Sequence, residues 1–533
     1  MSQELVTLTI DGREVSVPKG TTIIEAAKQI GTRVPHYCYH PGLSSPAMCR
    51  LCLVEVGGAP KPMPSCVTTV AEGQVVKTES ERALWGRRGV LEFYLVNHPL
   101  DCPICDASGA CDLQDHVHAE GREHGRSYEP KRVFGRDDFG GDVLFYGDRC
   151  VMCTRCVRFM SEVEQEDRLT VVDRGARSII DTFYEEGLEG TYWHGNIVDV
   201  CPVGALLSKD FLHKARAWDL EHTPSICPNC SQGCNIDLHT RDNLVQRIKP
   251  RENLDVNAWW MCDYGRLEYE WINRGDRLEA PLVRGGPTGS RAAGWSDALS
   301  GVLERARGAG NASVKAVAWP FASNEDLAAL AALVDRLGGG EIVYRSARAA
   351  EERVLKGFPT LARRRDLAAN RVGADLMGME RVGGDDASGG LDAVAAHDGI
   401  VLVLGDALAD QSPDFGGYAA LYVYLGTHDA TAAAHADFVL PVTTFAEQEG
   451  TFTNLQGRVQ RFWPAMAPPG MARPAWLVLG ALVAELTGAP APRSAAEAFA
   501  RLGQRVPAFG GIGYAELSAR GALVNQTVSL AGD

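Results

Sequence analysis

The chain has 533 residues, a formal net charge of −15 and 45% apolar residues, which is enough for three or four packed domains. The acidic balance argues against nucleic acid or an anionic membrane surface as a partner, because both attract an excess of Lys and Arg. The N-terminus carries no basic segment and no long apolar run, so we expect neither a signal peptide nor a transit peptide. The longest apolar stretch, Trp476 to Leu486, is far shorter than the roughly 20 residues that span a bilayer.

All fifteen cysteines lie in the first half of the chain, between Cys38 and Cys262. Their close spacing does not suit structural disulfides, and an intracellular chain of this size does not need them. With one nearby histidine, His98, they make sixteen potential ligands, and four sets of four predict four metal centres. The cysteine groups, in chain order, are Cys38, Cys49, Cys52 and Cys66; Cys102, Cys105 and Cys111; Cys150, Cys153, Cys156 and Cys201; and Cys227, Cys230, Cys234 and Cys262.

The N-terminal residues predict a hairpin followed by a helix. Val6 to Ile10 and Glu14 to Val17 alternate between apolar and polar residues on either side of an Asp-Gly turn, which indicates a β-hairpin. Thr22 and Glu25 have the spacing of a capping box, which predicts a short helix that ends near Gly31.

The first cysteine group has the spacing C-x10-C-x2-C-x13-C. A hairpin, a helix and a cysteine loop in this order resemble the plant-type [2Fe–2S] ferredoxins, which have a β-grasp fold. The spacing departs from the plant C-x4-C-x2-C pattern and is similar to that of the ferredoxin-like N-terminal domain of the large iron–sulfur subunit of respiratory complex I. The resemblance implies a [2Fe–2S] cluster, and soft thiolate donors suit iron. A zinc site with four cysteine ligands is the alternative.

The second cysteine group is one ligand short. A predicted helix from Glu79 to Val96 ends before Pro99, which pushes His98 into a loop. The resulting pattern, H-x3-C-x2-C-x5-C, resembles the [4Fe–4S] segment with one His and three Cys ligands that complex I shares with iron-only hydrogenases. His98 is therefore the expected fourth ligand, and His116 and His118, which follow Cys111, are the rival candidates.

The third group follows a charged, Gly-rich segment, residues 121–141, that we expect to be a linker or surface loop. Its C-x2-C-x2-C run is the signature of bacterial [4Fe–4S] ferredoxins, with Cys201 as the fourth ligand and zinc as a weak alternative. Pro202 is suited to open a following helix. Positive charge at Arg149, Arg155 and Arg158 would favour a reduced cluster, but we expect these residues to be partly solvated charges.

The fourth group, C-x2-C-x3-C with Cys262 after a long gap, resembles the [4Fe–4S] domain at the head of molybdopterin oxidoreductases such as formate dehydrogenase. Asn235 to Ile248 alternates as short strands. After about Arg274, strand-like and helix-like segments alternate, which predicts a doubly wound parallel sheet. Ser323 and Asn324 can cap a helix there. The predicted strands are Val314 to Trp319, Ile342 to Tyr344, Ile400 to Leu404 and Leu421 to Leu425.

His435 to Gln460 resembles the pterin-binding half of the molybdopterin oxidoreductases. Only about 270 residues follow Cys262, and none of them is a cysteine that could bind molybdenum. We therefore expect an inherited scaffold without molybdopterin.

The order of the motifs resembles one family over nearly the whole chain, the iron–sulfur G subunit, or 75 kDa subunit, of NADH-quinone oxidoreductase (complex I). The resemblance implies one [2Fe–2S] and three [4Fe–4S] clusters that relay electrons from the flavin, NADH-binding subunit toward quinone-side iron–sulfur subunits. In the whole complex this transfer is coupled to proton translocation. No independent active site is expected, and the chain would lie on the cytoplasmic side of the bacterial inner membrane, attached only through its partners.

The fold class that follows is multidomain, α+β and α/β. Three alternatives stay open: an NAD-linked formate dehydrogenase catalytic subunit, an iron-only hydrogenase, for which cysteines after Cys262 are missing, and a structural zinc protein. The expected domains are a [2Fe–2S] β-grasp domain at 1–78, the His-and-three-Cys [4Fe–4S] domain at 79–120, a [4Fe–4S] ferredoxin-like domain at 140–219, a molybdopterin-oxidoreductase-type [4Fe–4S] domain at 220–276 and a shortened molybdopterin-oxidoreductase-like α/β domain at 277–533.

Overall fold

The computed structural model describes residues 4–284 and 289–525. The chain forms two compact units: the first runs to Leu220 and includes Leu355–Phe358, and the second comprises the rest from Glu221 on. Within the described residues, no helix is both long enough and apolar enough to cross a bilayer.

The first unit begins with the predicted hairpin, whose turn residues Asp11 and Gly12 have φ of +48° and +80°. Val6, Leu8 and Ile10 face inward and are buried, which explains the alternation in the sequence. The hairpin joins a mixed five-stranded sheet in the order β2-β1-β5-β3-β4. Its elements are β1 (Leu5–Ile10), β2 (Arg13–Pro18), α1 (Ile23–Gln29), β3 (Leu53–Val56), β4 (Met63–Pro64) and β5 (Val75–Lys77).

The predicted capping box at Thr22 is wrong, because the Thr22 side chain makes no cap hydrogen bond. Backbone carbonyls of the cysteine loop take its place: the Ile23 N–H donates to Thr68 O at 2.9 Å and the Ile24 N–H to Ser65 O at 3.2 Å. The helix is thereby attached directly to the segment that carries Cys66.

Apart from the helix α2, the remainder of the first unit consists of short elements. The predicted helix before His98 is confirmed, and the Ser80 side chain caps it by accepting from the Ala83 N–H at 3.2 Å. A turn of π-helix, Phe159–Glu164, continues α4. The elements are α2 (Glu81–Asn97), α3 (Asp112–Glu120), β6 (Arg136–Gly140), β7 (Val143–Tyr146), α4 (Arg155–Arg158), β8 (Thr170–Val172), β9 (Ile179–Asp181), α5 (Gly195–Val200) and β10 (Leu206–Ser208).

Two local expectations in this region are wrong. Residues 121–141 are not all loop, because β6 pairs with β7, and Phe139 is buried and stacks on Phe145 at 4.7 Å. Pro202 opens no helix: α5 ends at Val200, Cys201 is its C-cap, and the chain turns into β10, which pairs with β7. A proline just beyond a helix end stops the helix, and pairing buries the apolar Leu206 and Leu207 in a sheet.

The second unit opens with an antiparallel sheet in the order β11-β12-β13, as the alternation in the sequence predicts. The helix α6 starts at the last cysteine, Cys262, which is its N-cap. The elements are β11 (Glu221–Ile226), β12 (Asn235–Arg241), β13 (Leu244–Pro250) and α6 (Asp263–Leu267).

The rest of the second unit, residues 277–284, 289–354 and 359–525, is called the α/β body here. Its eight-stranded sheet has the order β15-β14-β23-β22-β21-β16-β17-β20. Six neighbouring strands of this sheet pair in parallel, which confirms the predicted doubly wound sheet. They are β23, β22, β21, β16, β17 and β20. In chain order the six parallel strands read 6-5-4-1-2-3, so the strand order reverses between β16 and β21. The strands are β14 (Leu282–Arg284), β15 (Ser290–Ala292), β16 (Val314–Ala318), β17 (Gly340–Tyr344), β18 (Arg353–Val354), β19 (Ala362–Arg363), β20 (Glu380–Arg381), β21 (Ile400–Leu404), β22 (Leu421–Gly426), β23 (Phe438–Pro441), β24 (Gly450–Thr453), β25 (Arg458–Phe462) and β26 (Ala522–Leu523).

Apolar side chains on both faces of this sheet form its core. Leu402 contributes to one cluster, and Val401 and Val403 contribute to the other. Ser323 caps α8 in a complete capping box with Asp326, so the predicted helix start is confirmed. The helices are α7 (Trp295–Gly308), α8 (Asn324–Arg336), α9 (Arg371–Leu376), α10 (Asp392–Ala395), α11 (Ala475–Thr487) and α12 (Ala495–Arg505).

Candidate iron–sulfur sites

The first cysteine group is buried, and its thiols face one another. The side chains of Cys38 and Cys49, of Cys52 and Cys66, and of Cys66 and Cys38 lie close enough to shift one another's pKa. The neighbouring Cys38 side chain and then burial raise the pKa of Cys49, whereas the neighbouring Cys66 side chain lowers the pKa of Cys52. The structure therefore brings all four sequence-predicted residues to one place.

The second group follows the end of α2, and its thiols lie within electrostatic reach of one another, Cys105 of Cys102 and Cys111 of Cys105. His98 is extended, with φ −61° and ψ 127°, as the following proline requires. Its Nδ1 is buried and has no hydrogen-bond partner among the described residues, and burial lowers its pKa to about 4. A neutral ring with a free nitrogen is the form that binds metal. Cys105 and Cys111 are buried, whereas Cys102 is exposed.

The rival histidines lie on α3 in different surroundings. His116 is buried with its ring 5.6 Å from that of Tyr37, and burial lowers its pKa. His118 is exposed.

The third group surrounds a cavity that Cys150, Cys153, Cys156 and Cys201 line together with apolar side chains, among them Phe145. A backbone N–H group points at one of the sulfurs: the Met152 N–H donates to Cys150 Sγ at 3.3 Å. Burial raises the pKa of Cys150 and of Cys153 to about 12. These thiols therefore stay protonated at neutral pH unless a metal binds them, and the buried sulfur donor set fits an iron–sulfur cluster.

The fourth group is buried in the second unit. The Cys227 N–H donates to Cys234 O at 2.8 Å, and Cys262 Sγ accepts from the Gly265 N–H at 3.3 Å. A Cβ on Gly265 would lie 3.0 Å from Cys227 Sγ and 3.5 Å from Cys262 Sγ, so the backbone closes around the sulfurs. Burial raises the pKa of Cys227 to about 12.

Left-handed backbone recurs beside the cysteines. Ala47 and Arg50 flank Cys49 with φ of +52° and +55°, and Met152 and Thr154 flank Cys153 with φ of +51° and +58°. Residues with a side chain adopt this conformation at a cost, and such strain gathers at functional sites. Among the described residues, no three His, Cys, Asp or Glu side chains are arranged to hold a single metal ion.

Several residues near the cysteines carry no sequence signal for a site. The Tyr94 hydroxyl donates to Cys49 O at 3.4 Å, and burial raises its pKa, with the thiols of Cys49 and Cys153 as further causes. Tyr94 therefore lies between the first and third groups. A Cβ on Gly204, in the loop after Cys201, would lie 2.2 Å from Cys105 Sγ, so this loop contacts the second group. Both positions depend on contacts between distant segments.

The expectation that the three arginines near the third motif are partly solvated is wrong. Arg149, Arg155 and Arg158 are 3%, 7% and 9% exposed. Arg149 pairs with Asp101 at 2.9 Å and stacks over the Tyr146 ring at 4.1 Å. Burial is tolerated because carbonyl and carboxylate oxygens accept from the guanidinium groups.

Comparison with known proteins identifies the domains. Residues 3–81 match the 2Fe-2S iron-sulfur cluster binding domain, 87–126 the NADH-ubiquinone oxidoreductase-G iron-sulfur binding region and 140–207 the ferredoxin-like domain of NADH-quinone oxidoreductase subunit 3. Residues 220–274 match the molybdopterin oxidoreductase Fe4S4 domain and 408–485 the molybdopterin oxidoreductase model. Fold and sites together define an oxidoreductase subunit with [2Fe–2S] and [4Fe–4S] domains.

Relatives agree over most of the chain. The 78 kDa subunit of mitochondrial NADH-ubiquinone oxidoreductase from Candida albicans is 31% identical, over 90% of this chain and 82% of its own length. The G subunit of NADH-quinone oxidoreductase from Rickettsia felis is 29% identical over 88% and 86%. The chain belongs to the family of the iron–sulfur subunit of NADH-quinone oxidoreductase. None of these relatives is a formate dehydrogenase.

Other similarities cover less. The mitochondrial NADH dehydrogenase (ubiquinone) iron-sulfur protein 1 of Solanum tuberosum is 40% identical over 64% of this chain, and the matched region spans 46% of that protein. A chain of an NAD+-reducing [NiFe]-hydrogenase structure is 30% identical over 39% of this chain and 90% of its own, with a TM-score of 0.35.

Proposed function

We propose that this chain relays electrons in NADH:quinone oxidoreductase, accepting them from the flavin, NADH-binding subunit and passing them to quinone-side iron–sulfur subunits. The observation that carries the proposal is the gathering of fifteen cysteines into four groups, with twelve of the cysteines buried, Cys150 and Cys201 half-buried and Cys102 exposed. Cys150 and Cys201 nevertheless line the apolar cavity of the third group. The proposed place is the cytoplasmic side of the bacterial inner membrane, reached through these partners.

The ligand assignment is part of the proposal. It comprises one [2Fe–2S] and three [4Fe–4S] clusters, which is about fourteen irons per chain. The clusters would supply one-electron redox chemistry when bound. The proposed ligands are Cys38, Cys49, Cys52 and Cys66 for [2Fe–2S]; His98, Cys102, Cys105 and Cys111; Cys150, Cys153, Cys156 and Cys201; and Cys227, Cys230, Cys234 and Cys262 for the [4Fe–4S] clusters.

The protein's own residues would set how each centre takes up an electron. N–H groups such as those of Met152 and Gly265 donate to the sulfurs and favour the more negative, reduced state. Burial excludes water from twelve of the fifteen cysteines. No general acid, base or nucleophile is needed for this work.

We further propose that the α/β body binds no molybdopterin. Ligands of doubly wound sheets bind at the carboxyl ends of the strands where the strand order reverses, here after β16 and β21. Trp319 fills this position: a Cβ on Gly405 would lie 2.4 Å from its side chain. Aromatic contacts with Trp271 at 6.1 Å and Phe321 at 5.3 Å hold Trp319 in place.

The proposed division of the chain is therefore 1–78, 79–120, 140–219 and 220–276 for the centres, and 277–533 for a scaffold.

Iron and sulfide analysis with EPR on anaerobically purified protein tests the assignment. We expect about fourteen irons per chain. Stoichiometric zinc, or roughly eight irons or fewer in reconstituted protein, would contradict it. Metal-bound pterin with formate turnover would favour the formate dehydrogenase alternative.

Histidine variants test the ligand of the second centre. His98→Ala should alter or abolish one [4Fe–4S] signal and leave the others. The free Nδ1 of His98 supports this expectation. An unchanged spectrum in His98→Ala, with a signal lost in His116→Ala or His118→Ala, would move the assignment to α3.

A further inference from the structure

Arg158 connects the backbones of two cysteine groups. One guanidinium nitrogen, Nη2, donates to Cys38 O at 2.6 Å and to Cys153 O at 3.2 Å. The other, Nη1, donates to Ser44 O. A single buried cation thus bonds directly to a cysteine residue of the first group and to one of the third.

The surrounding contacts repeat this connection. Arg155 donates from Nη2 to Tyr39 O, next to Cys38, and from Nη1 to Val200 O at 3.1 Å, next to Cys201. The Glu162 carboxylate, in the π-helical turn after Arg158, accepts from the Ser44 N–H at 2.8 Å. One short segment therefore fixes the first cysteine loop to the third.

The positive charge of Arg158 changes the energy of an electron on either neighbouring centre. Arginine stays protonated in proteins, and Arg158 is 9% exposed, so its field is weakly screened. The thiols of Cys38 and Cys153 both lie within its electrostatic reach. An electron that moves from one centre to the other stays beside the same cation throughout.

We propose that Arg158 is a positioning residue shared by the [2Fe–2S] and the third-group [4Fe–4S] centres, raising both midpoint potentials together and fixing the two cysteine loops against each other. The inference rests on the proposed ligand assignment. The driving force between the two centres then changes little when Arg158 changes, because both potentials move in the same direction.

The test is a redox titration of the full chain in its assembled complex, followed by EPR. Arg158→Gln removes the charge, and both midpoint potentials should fall. Arg158→Lys keeps the positive charge but loses the planar guanidinium with its several N–H donors. Its shifts of the two midpoint potentials should therefore be smaller than those of Arg158→Gln. Arg177→Gln, at an exposed arginine of the same unit, is the matched control and should move neither potential.

A purely structural role predicts otherwise, with Arg158→Lys and Arg158→Gln behaving alike. Equal shifts in those two variants, a shift in only one centre, or an equal shift in Arg177→Gln would overturn the inference. If Arg158→Gln does not retain iron, Glu162→Gln decides. Glu162 is exposed and faces Arg158, so removing its negative charge should raise both potentials, and no shift would overturn the proposal.

Failure of the ligand assignment gives a different result. Cys38→Ser and Cys153→Ser should each alter a different signal in the otherwise unchanged protein. If the two cysteine variants do not alter different signals, the ligand assignment is wrong, whatever the Arg158 variants show. If they alter different signals and the Arg158 variants leave both midpoint potentials unchanged, only the inference on Arg158 fails.

Discussion

Residues 98–220, called the cluster region here, and the α/β body are built on different principles. In the cluster region the helices have four to nine residues and the strands three to five, too short to be stable alone. Cysteine loops and buried arginines connect these elements. In the α/β body, a sheet with six parallel strands buries apolar residues on both faces. We therefore expect the first region to depend on bound metal and the second to depend on packing.

Removing the iron tests this difference most strongly. Metal binding contributes to folding where ligands come from separate loops, so the cluster region should open when iron is chelated. Limited proteolysis read by mass spectrometry should show new cleavage within 98–220, with 290–354 and 359–505 protected. Equal protection of both regions after complete iron removal would show that the cluster region folds without metal.

A core substitution in the α/β body should have the converse effect. Leu402 on β21 is 1% exposed, so Leu402→Ala should lower the free energy of unfolding of the body by about 2–5 kcal/mol. The EPR signals of the first three centres should not change. Leu254→Ala, at a residue 52% exposed, is the control and should cost about 0.5 kcal/mol or less. Loss of those signals in Leu402→Ala would show that the two regions are not independent.

A single methyl group should perturb the cluster region. Gly204→Ala places a Cβ 2.2 Å from Cys105 Sγ, so the thiol must move, at a cost of about 1–3 kcal/mol. We expect a changed signal from the second centre. Gly89→Ala in α2 meets no atom within 4 Å and should stabilise the helix by up to about 1 kcal/mol. Identical spectra for the two variants would argue against close packing at Cys105.

A pH dependence of stability is expected in the α/β body. Burial raises the pKa of Glu325 to about 8, and its carboxyl oxygens accept from Thr451 N and Oγ1, both at 2.9 Å. The folded state therefore binds the proton more tightly than the unfolded state, and stability falls as pH rises from about 4.5 through 8. Glu325→Gln should flatten this fall, as measured by Tm at about pH 6 and pH 9.

Glu304→Gln, at an exposed position on α7, is the control for this measurement. It should keep the wild-type dependence on pH. If the Tm of Glu325→Gln falls between the two pH values as much as that of the wild type, groups other than Glu325 cause the pH dependence.

Predictions from local patterns succeeded where neighbouring residues settle the structure. The hairpin, the helix cap at Ser323 and the extended His98 before Pro99 all follow from a few adjacent residues. The capping box at Thr22 failed although its sequence pattern is equally good. The backbone carbonyls of Ser65 and Thr68 accept hydrogen bonds from the first N–H groups of the helix instead. These residues are distant in the sequence, so no local pattern predicts the contact.

The sequence by itself determined the fold class, the family and the grouping of the cysteines, because ligand spacing and apolar periodicity are written along the chain. Only the tertiary structure decided what lies between the groups. Arg158 is an ordinary charge in the sequence, and it is buried because Cys38 O and Cys153 O converge on it. Gly204 gains its role from Cys105 in the same way. The longest of these contacts join residues about 100 or more positions apart, and their energy depends on distances that exist only after folding.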